Sequence, residues 1–276
     1  MKQLFALIGY PVGHSLSPLM HQAIYDDLGL DATYHAFNVE PTALKEAIAG
    51  LKALNVAGCN VTIPHKVSVM DYLDEVDEEA QEIGAVNTIV NKNGRLIGRN
   101  TDGSGYLQSL TPVLPAGIED HRVLVIGAGG AARAVVSTLC RNRAMRIVIA
   151  NRTLAKAEVL AGLFSRYESD VLAMSIEQAE KELAAFDLVI NTTSVGMSPN
   201  VRQTPLSLDL LSARAFVSDL IYNPDETLLL KEAKARGNRT LNGIGMFVNQ
   251  GALSFEYWTE QKPNRAAMEE AVRHFL

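Results

Sequence analysis

Short apolar runs alternate with helical stretches along the N-terminal part of the chain. The runs have the length of strands, and the stretches between them place apolar residues at helical spacing. This pattern predicts the order β-α-β-α-β, with elements at Leu4–Ile8, Pro18–Leu28, Tyr34–Val39, Pro41–Leu54 and Gly58–Ile63. Such alternation is typical of a parallel sheet, because a crossover helix joins successive parallel strands.

Two further apolar runs, Ala85–Val90 and Arg95–Gly98, flank the dipeptide Asn93-Gly94. Asn-Gly suits the left-handed positions of a tight turn, so this segment is predicted to be a β-hairpin. A hairpin beside βαβ units gives a sheet that is mostly parallel but mixed.

A second alternating block follows. Its predicted strands are Arg122–Ile126, Arg146–Ala150, Val171–Ala173, Asp187–Asn191 and Ala215–Leu220, and its predicted helices are Ala131–Arg143, Leu154–Arg166 and Thr227–Arg236. The pattern predicts a second α/β sheet, of the Rossmann-like kind.

Two last helical stretches, Met246–Trp258 and Asn264–Phe275, have no later strand to cross to. We therefore expect them to return to the first block. The predicted fold is α/β with two domains, a discontinuous one at residues 1–104 plus 243–276 and a Rossmann-like one at 105–242.

Composition narrows the class of protein. Hydrophobic residues make up 47% of the 276 positions and charged residues 20%, which is ordinary for a globular protein that folds without disulfides or structural metals. The net charge of -6 gives no general attraction for nucleic acid, so none is expected as a partner. Cys59 and Cys140 are far apart and form no metal or disulfide motif, so both are expected to be buried thiols. The apolar run Leu4–Ile8 is too short for a signal or membrane segment, which favours a cytoplasmic protein.

The run Gly127-Ala128-Gly129-Gly130-Ala131-Ala132 fits the dinucleotide-binding pattern G-x-G-x-x-[G/A] between a predicted strand and a predicted helix. Gly127 allows the tight turn, Gly129 lets the backbone approach a pyrophosphate, and Ala132 lets the helix pack closely on the strand. The alternative is a glycine-rich turn without a ligand.

The end of the next predicted strand indicates which dinucleotide binds. An NAD enzyme usually has an acidic residue there for the ribose hydroxyls, whereas this chain has Asn151, Arg152 and Thr153. Arg152 can pair with a 2′-phosphate, and Lys156 adds charge one turn later, so NADP is favoured over NAD. The alternative for both cations is a solvated helix start, although cations there oppose the helix dipole.

The segment Asn191–Met197 follows another strand and is expected to line the nicotinamide side, with Thr192 in it. A loop rich in turn-forming residues is an equally good interpretation of any single residue in this segment.

Hydride transfer to a ketone needs a proton donor beside the substrate, and two residues are candidates for this role. Lys66 stands at a strand end, at the start of a helix that Pro64 is predicted to begin, where the helix dipole would lower the pKa of its amine. Asp102 follows the hairpin and would hold Lys66 by a salt bridge. From spacing alone, a solvated helix start for Lys66 and an N-cap for Asp102 are the simpler interpretations.

Ser15 and Ser17 alternate, so in an extended segment their hydroxyls would share one side and bind a carboxylate. Ser17 before Pro18 is also typical of a helix N-cap.

Taken together, these segments resemble the shikimate dehydrogenase family over nearly the whole chain. The resemblance rests on Gly9–Pro18, Asn60–Lys66, Gly84–Thr88, Gly98–Gly103, Asn151–Thr153 with Lys156, and Gly243–Met246. It implies an enzyme of the shikimate pathway of aromatic amino acid biosynthesis, which interconverts 3-dehydroshikimate and shikimate with NADP. It also implies an N-terminal substrate domain and a Rossmann-like cofactor domain, in a monomer or homodimer without a metal.

The resemblance further implies residue roles. Lys66 and Asp102 would form the catalytic pair and also contact the substrate, which would be bound with the help of Ser15, Ser17, Thr62, Asn87, Tyr222 and Gln250. The cofactor would contact Gly127, Ala128, Gly129, Gly130, Ala131, Asn151, Arg152, Thr153, Lys156, Thr192, Leu220 and Gly243.

Other functions stay open at this stage. The family includes quinate/shikimate enzymes that use NAD, and a nucleotide sensor would keep the glycine loop without a Lys/Asp pair. A glutamyl-tRNA reductase-like enzyme would need a nucleophilic cysteine, whereas Cys59 lies inside a predicted strand.

Overall fold

The structure, a computed structural model, describes residues 2–114 and 117–276. The chain divides into two compact units, one formed by residues up to Gly105 together with Val248–Phe275, the other by Tyr106–Phe247. The boundaries lie inside two helices, one residue after the predicted 104/105 boundary and five after the predicted 242/243 boundary.

The first unit has a six-stranded sheet. Its helices come from two segments of the chain, one before and one after the second unit. Its elements up to the first boundary are β1 Gln3–Gly9, α1 Ser17–Asp27, β2 Ala32–Asn38, α2 Leu44–Ala53, β3 Gly58–Val61, β4 Glu75–Val76, α3 Glu78–Ile83, β5 Thr88–Lys92, β6 Arg95–Arg99 and α4 Asp102–Leu110. The strand order is β2-β1-β3-β5-β6-β4. Strand β1 pairs in parallel with β2 and β3, whereas β5 is antiparallel to β3 and β6. The predicted hairpin and mixed sheet are confirmed.

The second unit has a fully parallel six-stranded sheet in the order β12-β11-β10-β7-β8-β9. Its elements are β7 Arg122–Ile126, α5 Gly130–Arg141, β8 Arg146–Ala150, α6 Leu154–Leu163, β9 Asp170–Met174, α7 Ile176–Lys181, β10 Leu188–Asn191, β11 Phe216–Asp219, α8 Leu228–Ala235 and β12 Arg239–Leu241. Along β7, Val123 and Val125 belong to one apolar cluster, while Leu124 and Ile126 belong to another. A strand that is buried on both faces is what a doubly wound sheet requires.

The last two helices are α9 Ile244–Thr259 and α10 Arg265–Arg273. Trp258 in α9 donates its indole N–H to the Ile89 carbonyl at 2.9 Å, and its ring lies against Gly58, where a side chain would collide with it. Helix α10 packs on α1. The predicted return of the C-terminal helices to the first unit is therefore confirmed.

Several local predictions were incomplete. No helix begins at Pro64, because residues 62–67 form turns and a short 3-10 helix starts at Ser68. The elements β4, α3, α4, α7 and β12 are short or lack a clear apolar period, and the sequence did not reveal them. Cys59 and Cys140 are buried thiols that form no disulfide within the described residues, as expected. No helix in the described ranges combines the length and apolarity needed to cross a bilayer.

Candidate active site and cofactor site

Four chain segments meet at one edge of the first unit's sheet. Strands β1 and β3 are parallel and end side by side, with Ile8 opposite Val61. Strand β5 runs the other way, so its first residue, Thr88, is level with Asn60 near the end of β3 and with Arg99 at the end of β6. This register brings together the residues that follow β1, β3 and β6 and those that precede β5.

The turn after β3 holds Lys66 in place through its backbone and its neighbour. The ring of His65 is buried, with Nε2 at 2.7 Å from the Val39 carbonyl oxygen. The Lys66 carbonyl accepts from the N–H of Val86 at 2.7 Å. Lys66 thus sits in a tight turn beside Asn87 rather than in the first turn of a helix, so the predicted effect of a helix dipole on its amine does not apply.

Lys66 and Asp102 form an ion pair. The Lys66 Nζ donates to Asp102 Oδ2 at 2.6 Å, and the side chains are 14% and 4% exposed. Asp102 is the first residue of α4, and its carboxylate accepts from side chains of two other segments. These partners decide against a solvated Lys66 and against an N-cap role for Asp102. Both charged groups are largely buried, and a buried charge needs an opposite charge beside it.

Asn87 holds the other oxygen of the same carboxylate. Its Nδ2 donates to Asp102 Oδ1 at 2.8 Å and to Thr101 Oγ1 at 2.8 Å, and Gln250 Oε1 is at 3.5 Å. The backbone N–H of Thr101 donates to Asn87 Oδ1 at 2.8 Å. The structure thus brings four of the predicted residues, Lys66, Asp102, Asn87 and Gln250, into one chain of contacts.

Ser15 and Ser17 are adjacent, but the segment is a turn and not an extended strand. Ser15 Oγ is 3.1 Å from Ser17 Oγ and accepts the Ser17 backbone N–H at 3.2 Å. Helix α1 begins at Ser17 after the N-cap Leu16, and no side chain caps it at that position. The N-cap interpretation of Ser17 was therefore wrong, and the two hydroxyls lie together because of the turn.

Thr62 directly follows β3, and its backbone N–H donates to the Ile8 carbonyl at 2.9 Å. Gly9 is in close contact with the Thr62 side chain, leaving no room for a Cβ. The contact places Thr62 against the segment that leads from β1 to Ser15.

In the second unit, the glycine loop connects β7 to α5. Gly127 has φ of 112°, a left-handed value that favours glycine, and a Cβ there would lie 2.6 Å from Thr192 Oγ1. Helix α5 begins at Gly130, after Ala128 and the N-cap Gly129, with no side-chain cap and no acidic residue in its first turn. Its first N–H groups are thus available for an anion, and Ala131 belongs to the same turn.

The end of β8 has the polar and basic residues that the sequence indicated. Asn151 Nδ2 donates to the Thr153 carbonyl at 2.9 Å, which closes a small turn before α6. Helix α6 has neither a side-chain cap nor an acidic residue in its first turn, and Arg152 and Lys156 are exposed there. Two cations beside uncapped N–H groups suit a phosphate.

The remaining cofactor candidates, Thr192, Leu220 and Gly243, follow β10, β11 and β12 of this sheet. Thr192 Oγ1 donates to the Ile126 carbonyl at 2.7 Å. Leu220 and Gly243 are in direct contact, and any side chain at Gly243 would overlap the Leu220 carbonyl. Tyr222, a predicted substrate residue, belongs to this unit, where its ring stacks on Phe247 with centroids 4.0 Å apart.

Asp219, at the end of β11, was not a candidate in the sequence. It is fully buried and accepts from Thr227 Oγ1 at 2.7 Å, Asn191 Nδ2 at 3.0 Å and the Ile221 N–H at 3.1 Å. Burial raises the pKa of this carboxyl to about 6, and the three donors offset part of that rise. The carboxyl ties together the loops after β10 and β11.

The sequence also missed the polar groups around Asn87, namely Asn60, Thr88, Thr101 and Ser254, although the first three lie in or beside the motifs already singled out. Ser254 had no signal, because a serine inside an apolar helical stretch fits an ordinary helix. Among residues 2–114 and 117–276, no cluster of three or more His, Cys, Asp or Glu side chains could hold a metal ion.

A doubly wound unit with an uncapped glycine loop, in a chain with a buried lysine–aspartate pair, defines a nicotinamide-dependent dehydrogenase of two domains. Three domain families match this chain: "Shikimate dehydrogenase substrate binding domain" at residues 7–89, "Shikimate / quinate 5-dehydrogenase" at 112–205, and "Shikimate 5'-dehydrogenase C-terminal domain" at 243–273.

Whole-chain comparisons agree with these matches. The shikimate dehydrogenase (NADP(+)) of Shouchella clausii is 56% identical over 277 residues, covering 100% of both chains. A crystal structure of shikimate dehydrogenase in complex with NADP+ superposes with a TM-score of 0.92 at 43% identity, covering 99% of this chain and 96% of that one. The Thermus thermophilus enzyme in complex with NADP(H) and shikimate gives 0.88 at 37% identity, covering 99% and 100%. The chain therefore belongs to the shikimate dehydrogenase family, and the resemblance seen in the sequence is confirmed.

The same fold also serves a related substrate. A quinate dehydrogenase from Corynebacterium glutamicum in complex with NAD superposes with a TM-score of 0.90 at 32% identity, and the match covers 99% of each chain. The fold alone therefore does not decide the substrate or the cofactor, and the residues of this chain do.

Proposed function

We propose that this chain interconverts 3-dehydroshikimate and shikimate with NADPH and NADP+, using Lys66 and Asp102 for proton transfer. The observation that carries this proposal is the 2.6 Å contact between Lys66 Nζ and Asp102 Oδ2 at the sheet edge. Reduction of a ketone needs a proton donor at the developing alkoxide, and an ammonium held by a carboxylate supplies one.

Each residue of the pair has a distinct task. Bound NADPH would supply the hydride, which the chain itself cannot provide. Lys66 donates the proton to the substrate oxygen during reduction and accepts it during oxidation. Asp102 orients the ammonium through Oδ2, and Asn87 orients Asp102 through Oδ1.

Substrate binding follows from the neighbouring polar groups. The paired hydroxyls of Ser15 and Ser17 would bind the substrate carboxylate, because two donors close together suit its two oxygens. Thr62, Asn87 and Gln250 would contact the hydroxyls of the ring, and Tyr222 is assigned to the substrate by the family resemblance. With these roles, residues 1–104 plus 243–276 are assigned as the substrate domain.

NADP binding is assigned to residues 105–242 and Gly243. The pyrophosphate would lie at the N-terminus of α5, against Gly127 to Ala131. The 2′-phosphate would pair with Arg152 and Lys156 beside Asn151 and Thr153, because no carboxylate follows β8 to repel it. Thr192, Leu220 and Gly243 would lie towards the nicotinamide.

The test is an absorbance assay at the reduced nicotinamide band, with shikimate and quinate each offered NADP and NAD. We expect the highest rate with shikimate and NADP. No rate with any pair would refute the enzyme proposal and favour a non-catalytic nucleotide sensor. Equal rates with quinate or with NAD would instead favour a quinate/shikimate dehydrogenase of broad use, the second candidate, which the match to the quinate enzyme supports.

Lys66→Ala tests the assignment of the proton donor. We expect turnover to fall by about 10²–10⁴-fold, the usual contribution of a positioned acid or base, with NADPH affinity unchanged. The matched control is Lys52→Ala, which removes an exposed lysine of the same unit that pairs with Asp74 at 2.8 Å. Undiminished turnover in Lys66→Ala would contradict the role of Lys66.

We infer further that the protein acts in the cytoplasm as a monomer or homodimer on a small-molecule substrate, without nucleic acid. Size-exclusion chromatography with light scattering would measure the oligomeric state directly.

A further inference from the structure

A group of buried polar side chains adjoins Asn87 through its Oδ1 and its backbone carbonyl. Thr88 Oγ1 is at its centre, 2.9 Å from Asn87 Oδ1, 2.8 Å from Ser254 Oγ and 3.3 Å from Asn60 Nδ2. Thr88 and Ser254 are both 0% exposed. The group joins β3, β5 and α9, which are distant in the sequence.

The orientation of the Asn87 amide decides which group faces Asp102. A backbone N–H can only donate, so the bond from Thr101 N–H at 2.8 Å identifies the atom facing it as Asn87 Oδ1. Asn87 Nδ2 must then point towards Asp102 Oδ1, at 2.8 Å. If the amide turned over, its oxygen would face the carboxylate and repel it.

The direction of the hydroxyl bonds supports the same orientation. Ser254 Oγ donates to the Gln250 carbonyl at 3.0 Å and accepts from Asn60 Nδ2 at 2.9 Å. Asn87 Oδ1 can only accept, so the single hydroxyl proton of Thr88 is donated to it at 2.9 Å. Ser254 is then the donor in its 2.8 Å contact with Thr88 Oγ1, and its proton is shared between Thr88 and the Gln250 carbonyl. The hydroxyl of Thr88 is thus a second donor that favours the observed orientation of Asn87.

We propose that Thr88, supported by Ser254, is a positioning residue that fixes the Asn87 amide and through it the carboxylate of Asp102. This rests on the proposed proton-transfer role of Lys66 and Asp102. Thr88 does not touch the reacting atoms, and it acts through Asn87. Ser254 also bonds to the backbone of Gln250, one helical turn away in α9, so the same group links the catalytic carboxylate to a proposed substrate residue.

A purely structural role would not require a hydroxyl at this position. Valine has nearly the shape of threonine and suits a buried strand equally well, without the cost of burying a polar group. The hydroxyl therefore has a function that packing does not supply.

Two variants of Thr88 separate these roles. Thr88→Val keeps the shape and removes the donor, so we expect kcat for shikimate oxidation to fall about tenfold, roughly the effect of losing one hydrogen bond, and Tm to fall as well, because Asn87 Oδ1 and Ser254 lose a buried partner. Thr88→Ser keeps the donor and removes a buried methyl group, so we expect a lower Tm with kcat within about twofold of the parent. The pH at which kcat is half-maximal should move in Thr88→Val and stay in Thr88→Ser, and the KM for NADP should stay constant in both.

The matched control is Thr259→Val, in α9 like Ser254, whose hydroxyl bonds to the Phe255 carbonyl and the Gln261 N–H rather than to Asn87 or its partners. It should leave kcat unchanged. If Thr88→Val folds poorly, Ser254→Ala tests the same group and should lower kcat several-fold, with effects that are not additive in the double variant.

Loss of kcat in proportion to loss of Tm across all variants would overturn the inference, as would equal kcat values for Thr88→Val and Thr88→Ser. These results differ from a failure of the proposed function, which would show as an inactive parent protein.

Discussion

The buried carboxyl of Asp219 should make the second unit less stable as the pH rises. Its pKa is about 6 in the folded protein against an ordinary value of 3.8, because burial disfavours the charged form. The folded state then binds the proton more tightly than the unfolded state between these two values. The stabilising contribution is fully present below about pH 4 and is lost as the pH rises through about 6.

The size of the effect follows from the shift of about 2 pKa units. At 1.36 kcal/mol per unit this is about 3 kcal/mol in all, of which about 2 kcal/mol is lost between about pH 4 and pH 7. Asp219→Asn removes the titration but keeps an oxygen for Asn191 and the Ile221 N–H. We compare the free energies of unfolding of the parent and of Asp219→Asn at each pH. The difference, parent minus variant, should fall by about 2 kcal/mol between about pH 4 and pH 7.

The assay is urea unfolding followed by far-UV circular dichroism at several pH values. The fluorescence of Trp258, the one tryptophan in the sequence, would not serve, because it belongs to the first unit. The control is Glu177→Gln, which removes an exposed carboxyl whose pKa is lowered by its bond to Lys181, so its pH dependence should have the opposite sign. A difference for Asp219→Asn that is flat with pH, or that rises, would refute the reasoning.

Two other substitutions test the cofactor site and the helix packing. Arg152→Ala should weaken NADP binding by about 1–3 kcal/mol, the cost of a charge-assisted contact, and leave NAD use nearly unchanged. A titration with each cofactor measures this, and equal losses for both would point to a structural arginine. Gly105→Ala should lower Tm and raise the KM for shikimate, because its Cβ would lie 2.7 Å from the Gln250 backbone N. The control is Gly50→Ala, which has open space around it and should be neutral or stabilising, and thermal unfolding compares the two variants.

Much of the second unit could be predicted from the sequence because its signals are local. The strand β7, the glycine loop and the start of α5 are consecutive, and each has a residue type that its conformation requires. The position of Arg152 is equally local, since it follows closely on the end of β8 and lies exposed before the uncapped start of α6. Boundaries differ by one to three residues at most elements, as helix and strand ends commonly do.

The first unit's site was harder to predict because its contacts are not local. Asp102 fits an N-cap by spacing, and the partners of its carboxylate, the ammonium of Lys66 and the amide of Asn87, are 36 and 15 residues away. Pro64 and His65 look like the start of a helix, but the contact of His65 with Val39 holds the segment as a turn instead. Ser254 joins Thr88 across 166 positions, a relation that no periodicity encodes.

The return of α9 to the first unit also sets an order of assembly during synthesis. The second unit, Tyr106–Phe247, is continuous and can fold once it has left the ribosome. The sheet of the first unit is made before the second unit, yet Gln250, Ser254 and Trp258, which contact Asn87, Thr88 and Gly58, are made after it. The polar group around Asn87 and Asp102 therefore acquires its full set of supporting contacts only after the whole second unit has been made, so a chain that ended before α9 would have the second unit without those contacts.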